Sequence, residues 1–156
     1  MTINGYIKIK ALANFWIFEV KPPLTQALEL VPDDKLDWSP KPEMIKLGHI
    51  FYHIAECSAW WIGTLIDKET PPPDVPSNGL TKRMLSEMME KHWQTLERFF
   101  SRCPEILENT YEYTDQGKIH KYDGQWIMFH IFEHDIHHRS QINQYLRILG
   151  ITPPQI

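Results

Sequence analysis

Cysteine is scarce in this chain of 156 residues: Cys57 and Cys103 fall in different segments and form no Cys-x-x-Cys pair. No disulfide framework is expected, and a reducing cytoplasm is the compartment that such usage suggests. A block of Lys/Arg is missing too. Its 16 basic residues are scattered among 20 acidic ones, for a formal charge of −4. Duplex nucleic acid is therefore not an expected partner, because phosphate neutralisation supplies most of such affinity. Nor is there a long uncharged apolar run. The most apolar stretch, Leu47 to Ile66, is interrupted by His49, His53, Glu56 and Ser58, whereas a membrane span needs about 20 mostly apolar residues. Lys8, Lys10 and Glu19 break the pattern of the first twenty residues, so no signal peptide is expected. Internal repeats, a nucleophile motif, a phosphate loop and a cofactor fingerprint are also lacking.

What the chain does have is a hydrophobic share of 42% and an aromatic share of 12%, which suit a well-cored globular protein. Its length suits one domain spanning residues 1–156, long enough to bury roughly two-thirds of its unfolded surface. Four helical segments follow from apolar periodicity. The first runs from about Tyr6 to Leu30, and Pro22-Pro23 must kink it or break it in two, since proline lacks the N–H and clashes with the preceding turn. The second is expected from near Pro42 to about Asp67, apolar over much of its circumference and so deep in the core. Residues 70–79, rich in proline, read as a stiff extended connection. Thr81 is a candidate N-cap for a third helix over Lys82 to Ser101. Alternation in Thr110 to Thr114 and Lys118 to Tyr122, around Asp115-Gln116-Gly117, suggests a short hairpin. The last helix is expected from Asp123-Gly124 to Gly150, a left-handed cap followed by Pro153-Pro154. The fold class is all-α: a four-helix bundle, whose ligand sites are built from side chains on facing helices.

Four histidines crowd into the last helix: His130, His134, His137 and His138. Imidazole is the commonest protein ligand for divalent transition metals, and helix residues four apart lie about 5–6 Å from each other at Cβ. With His130 at 0°, ideal geometry of about 100° per residue puts His134 near 40°, His137 near −20° and His138 near 80°. Spacing thus permits His130 with His134, His134 with His137, or His134 with His138. His49 and His53 on the second helix can supply a further ligand. Cys57 continues that stripe but reads as a small buried hydrophobe, and His92 and His120 read as solvated. His130-x-x-Glu133-His134 also fits the inverted zincin pattern, but that reading needs a third ligand, and no carboxylate except Asp135 follows His134.

Two blocks resemble the DinB/YfiT-like superfamily of small metal-binding four-helix bundles. One is Leu47-Gly48-His49-Ile50-Phe51-Tyr52-His53-Ile54-Ala55-Glu56, leading to Trp60-Trp61. The other is Glu133-His134-Asp135-Ile136-His137-His138-Arg139-Ser140-Gln141-Ile142, similar to H-x-x-H-H-R-G-Q-[IL]. The resemblance spans nearly the whole chain and implies a single DinB-like domain with metal ligands His53, His134 and His138. His49, His130 and His137 are left to packing or support. Ser140 stands where the family usually has glycine, which would widen a close helix approach if one occurs there. Long connections and homodimers are further traits that the resemblance implies.

Three imidazoles leave coordination positions open, as in catalytic rather than closed structural sites. The expected cofactor is a divalent transition metal, Zn or Ni first, with Fe or Co also compatible with nitrogen ligands. The resemblance implies either a hydrolase or a transferase that activates a low-molecular-weight thiol on a small-molecule substrate. Glu56, one turn from His53, is the carboxylate expected to orient a ligand ring. The competing expectation is a non-catalytic, stress-related protein that binds a metal or small molecule.

Overall fold

The computed structural model describes residues 9–72, 74–76 and 79–155. The chain is mostly helical, with one small two-stranded sheet. Helix α1 (Ile9–Phe15) passes into a π-helical stretch, Trp16–Val20, and then into α2 (Lys21–Leu30). The expected interruption before Pro22-Pro23 is present; the expected start near Tyr6 lies outside the described residues. The register slips upstream of the prolines: Lys21 donates its backbone N–H to the Trp16 carbonyl, five residues back. Both prolines then fall in the first turn of α2, where a missing N–H costs least. Pro23 cannot donate to the Glu19 carbonyl four residues behind it, and Arg139 of the last helix donates to that carbonyl at 2.7 Å instead.

Helix α3 (Leu47–Ser58) runs on into a second π-helical stretch, Ala59–Ile66. It starts five residues after the expected Pro42. The reason lies in the preceding loop: Leu47 and Gly48 donate their N–H groups to the carbonyls of Trp38 and Leu36, each at 2.8 Å. Those carbonyls satisfy donors that a new helix leaves open, so the helix begins where they are reached. Helix α4 (Lys82–Ser101) has the expected bounds, and the Thr81 hydroxyl accepts from the Met84 N–H at 3.2 Å. A short α5 (Glu105–Glu108) leads into the hairpin β1 (Thr110–Asp115) and β2 (Lys118–Asp123). The strands pair antiparallel from Thr110↔Asp123 to Asp115↔Lys118. Gln116 and Gly117, with φ of 46° and 80°, form the two-residue turn that suits strand twist.

Helix α6 (Gly124–Ile148) follows β2 directly. A Cβ at Gly124 would lie 2.0 Å from the Ile106 carbonyl oxygen, so only glycine lets α6 begin against α5. At its other end Gly150 has φ of 76°, and Ile151 donates to the Leu146 carbonyl at 2.9 Å, the expected left-handed cap. Helix α3 packs against α4 and α6, and α2 contacts the same two. Leu24, Phe51, Ile54, Leu85, Phe99, Ile131 and Ile142 are buried between them. Among the described residues no helix is long and apolar enough to cross a membrane.

Candidate metal centre

Helix α3 contributes His53, and α6 contributes His134 and His138 one turn apart. Their ring centroids lie 4.7 Å (His53–His134), 5.1 Å (His53–His138) and 4.4 Å (His134–His138) from one another. One nitrogen from each ring falls in a set whose members all lie within 4.8 Å of one another, an arrangement able to hold a metal ion. Nitrogens held at about 2.0–2.1 Å from a tetrahedral ion lie roughly 3.3–3.4 Å apart, so the rings would draw in on binding one.

Each of the three rings has an oxygen beside Nδ1. Glu56 Oε2 lies 3.5 Å from His53 Nδ1 and Asp135 Oδ1 lies 3.7 Å from His134 Nδ1. His138 Nδ1 lies 2.9 Å from Gln141 Oε1, an acceptor. Oxygen at Nδ1 favours the tautomer that keeps its proton there and leaves the Nε2 lone pair free for a ligand bond. His134 is only 8% exposed, yet neither of its nitrogens has a hydrogen-bond partner. Buried polar atoms are seldom left so, and a cation at Nε2 would account for one of them. Burial, followed by its neighbouring histidines, lowers the His138 pKa to about 4, against the Gln141 contact. Its imidazole is neutral at neutral pH, as a ligand must be.

Behind the cluster lies a buried network that sequence reading missed. Asp135, fully buried, accepts at Oδ2 from Trp16 Nε1 at 3.1 Å and pairs there with His92 Nε2 at 3.0 Å. His92 Nδ1 lies 2.7 Å from Ser58 Oγ. His92 was expected to be solvated, but it is 1% exposed. Burial pushes the Asp135 pKa up, but the imidazoles of His92 and His134 beside it outweigh that and hold the carboxyl below its ordinary value. One signal was available: Asp135 stands four residues after Ile131 and seven before Ile142, on the stripe that α6 turns to the core. Ser58, His92 and Asp135 have the order of a nucleophilic triad. Ser58 is only 1% exposed, and its hydroxyl donates to the Ala55 carbonyl at 3.1 Å, which ties it to its own helix.

The remaining candidates fall elsewhere. His49 lines a separate groove with Asp33, Asp34 and Asp37. His137 is exposed on the flank of His138. His130 stacks on Trp126, with centroids 5.0 Å apart and planes at 9°, and His120 stacks on Tyr113. Glu133 is exposed. Burial, then the charges of Asp135 and Glu56, pushes the Cys57 thiol pKa far up, and Cys57 is not among the residues whose ligand atoms converge. Both cysteines are free. Ser140 faces solvent and bonds back to the Ile136 carbonyl at 3.1 Å, so it meets no neighbouring helix and widens nothing. A cavity of about 320 Å³ opens on the cluster, lined by His53, Glu56, Cys57, Trp60, Trp61, His130 and His134.

Among solved structures, a DinB-like protein from Bacillus subtilis is similar over 93% of this chain and 96% of its own, at 18% identity and a TM-score of 0.70. A DinB-like protein from Bacillus cereus is similar over 97% and 99%, at 16% identity and a TM-score of 0.72. At such identity the likeness is one of fold. No curated protein matches. The DinB family model matches residues 12–156, nearly the whole chain. This protein belongs to the DinB family.

Proposed function

We propose that the protein is a metal-dependent enzyme acting on a small molecule, with His53, His134 and His138 holding a divalent transition ion. Zn and Ni suit the nitrogen set first, and Fe or Co remain compatible. The reaction is hydrolysis or transfer to a low-molecular-weight thiol; a divalent ion supplies the Lewis acidity that lowers the pKa of a water or thiol. The observation that carries this reading is the shared arrangement at the three rings: an oxygen at each Nδ1, convergent nitrogens, and a cavity beside them. An ion sealed among four protein ligands would favour the non-catalytic alternative; three ligands next to open volume favour turnover.

The roles of the chain's own residues follow. Glu56, Gln141 and Asp135 orient the rings of His53, His138 and His134. Trp60, Trp61 and Cys57 keep the approach apolar, which strengthens electrostatic interactions at the ion. The same reading takes the four long helices as one four-helix-bundle domain over 1–156, in the cytoplasm, with no nucleic acid or membrane among its partners. Trp126 and Phe129, 45% and 54% exposed on α6, supply apolar surface for a homodimer. Metal analysis of purified protein tests the core of it. Wild type should carry an ion that the His134→Ala variant lacks, and equal content in both would overturn the assignment. A thiol-transfer screen with an electrophilic reporter, alongside ester and amide hydrolysis, then tests the activity.

A further inference from the structure

The wall of this cavity has a chemistry of its own. None of its seven lining residues is Lys or Arg, and Glu56, the single carboxylate, faces His53. A phosphorylated or polycarboxylate substrate would find no counter-ion there beyond the metal itself, although such groups are ordinarily met by Arg or Lys. Besides the histidines and the Cys57 thiol, the wall is made of two consecutive tryptophans, Trp60 and Trp61.

These indoles are held from behind. Trp60 meets Tyr113 of β1 edge-on, with centroids 5.0 Å apart. Trp61 meets Tyr122 of β2 at 4.8 Å, Trp126 at 5.1 Å and His130 at 5.1 Å. The two rings also brace each other, 4.6 Å apart at 85°. Tyr113 and Tyr122 lie on the half-buried side of the hairpin, so the sheet acts as a buttress for the cavity wall. Rings fixed in this way lose little freedom when a ligand lands on them.

The backbone beneath them points the same way. The π-helical stretch 16–20 answers to Pro22-Pro23. The stretch Ala59–Ile66 contains no proline, yet its register slips just where both tryptophans must reach one cavity. Such π-turns are frequent at functional sites.

We propose that the substrate of this site carries an uncharged aromatic group, which packs against Trp60 and Trp61 while its reactive atom faces the three histidines. This rests on the metal reading above. An aromatic tail should gain about ten-fold in affinity over a methyl tail on the same metal-binding head.

The probes are acetohydroxamate and benzohydroxamate, with one chelating head and different tails, and 4-carboxybenzohydroxamate, which adds a negative charge. Each is titrated calorimetrically into zinc-loaded protein whose metal content is measured on the same sample. The expected order is benzohydroxamate about ten-fold tighter than acetohydroxamate, with the charged analogue losing much of that advantage. In Trp61→Leu and Trp60→Leu, which keep apolar packing and whose folding is checked by melting, the preference should shrink towards unity while acetohydroxamate binding stays put. Equal affinity of the two neutral probes in metal-loaded wild type would overturn the proposal. So would a preference that survives in both variants. Protein that takes up none of zinc, nickel, iron(II) or cobalt(II) would instead overturn the metal reading, and this proposal with it.

Discussion

Asp135→Asn is the most informative single change. The carboxylate is fully buried, with Oδ2 facing Trp16 Nε1 and His92 Nε2 and Oδ1 facing His134 Nδ1. An amide keeps the shape but offers one acceptor where the wild type offers two. If its oxygen stays at the Trp16 and His92 side, its NH2 points at His134 Nδ1 and favours the tautomer with the proton on Nε2, where a metal must bind. If it flips, His134 keeps its acceptor, but the Trp16 indole N–H faces another donor and His92 must change tautomer. Either way a buried polar group is left unmatched and a charge opposite His92 is lost. Hydrogen bonds to charged groups contribute about 1.5–3 kcal/mol. Because His92 can adapt by tautomer exchange, a loss of about 3 kcal/mol is expected, or a fall in Tm of about 6–12 °C for a domain of this size. Metal affinity should drop about 10–100-fold. Urea unfolding of metal-free protein reads the first, and competition with a chromophoric chelator reads the second. Wild-type values in both would refute the argument that Asp135 aims the His134 ring.

Two further outcomes follow from the same structure. Arg139→Leu removes the donor to the Glu19 carbonyl and should destabilise the metal-free protein by about 1.5–3 kcal/mol; an unchanged urea midpoint would show that the contact contributes nothing. For pH, His138 titrates near 4 in the folded protein against an ordinary 6.5, so between these values the unfolded chain binds the extra proton. Stability of the metal-free protein should therefore be fully present above about 6.5 and decline as pH falls towards 4, and the burial that lowers the His130 pKa acts in the same sense. Melting followed by circular dichroism across that range checks it, and a flat Tm would contradict the sign.

Local signals were legible in the sequence, and long-range ones were not. Thr81 caps α4 through a residue three positions away, and Gly150 ends α6 through its own backbone conformation; neither depends on the rest of the fold. His134 and His138 share a helix face by spacing alone, whereas their meeting with His53 depends on how α3 and α6 cross and was reached only through family resemblance. His92 was misjudged although it stands on the apolar stripe of α4, seven residues after Leu85 and four before Leu96; its partners Ser58 and Asp135, 34 and 43 residues away, are what local reading could not supply. The start of α3 was misjudged for a related reason: loop carbonyls at Leu36 and Trp38, not a proline, set the first turn. The stretch Ala59–Ile66 gave no warning of its π register, since its residues read as ordinary apolar helix.

The double proline does more than break the first helix. By dislocating the first helix it frees one peptide oxygen for Arg139, and the same dislocated stretch carries the indole that steadies Asp135. An all-alanine replacement would make a smoother rod and take that oxygen back into its own ladder, stranding a guanidinium one residue past His138. The segment least suited to being a helix is thus what lets a helix with no histidine of the cluster hold in place the one that carries two.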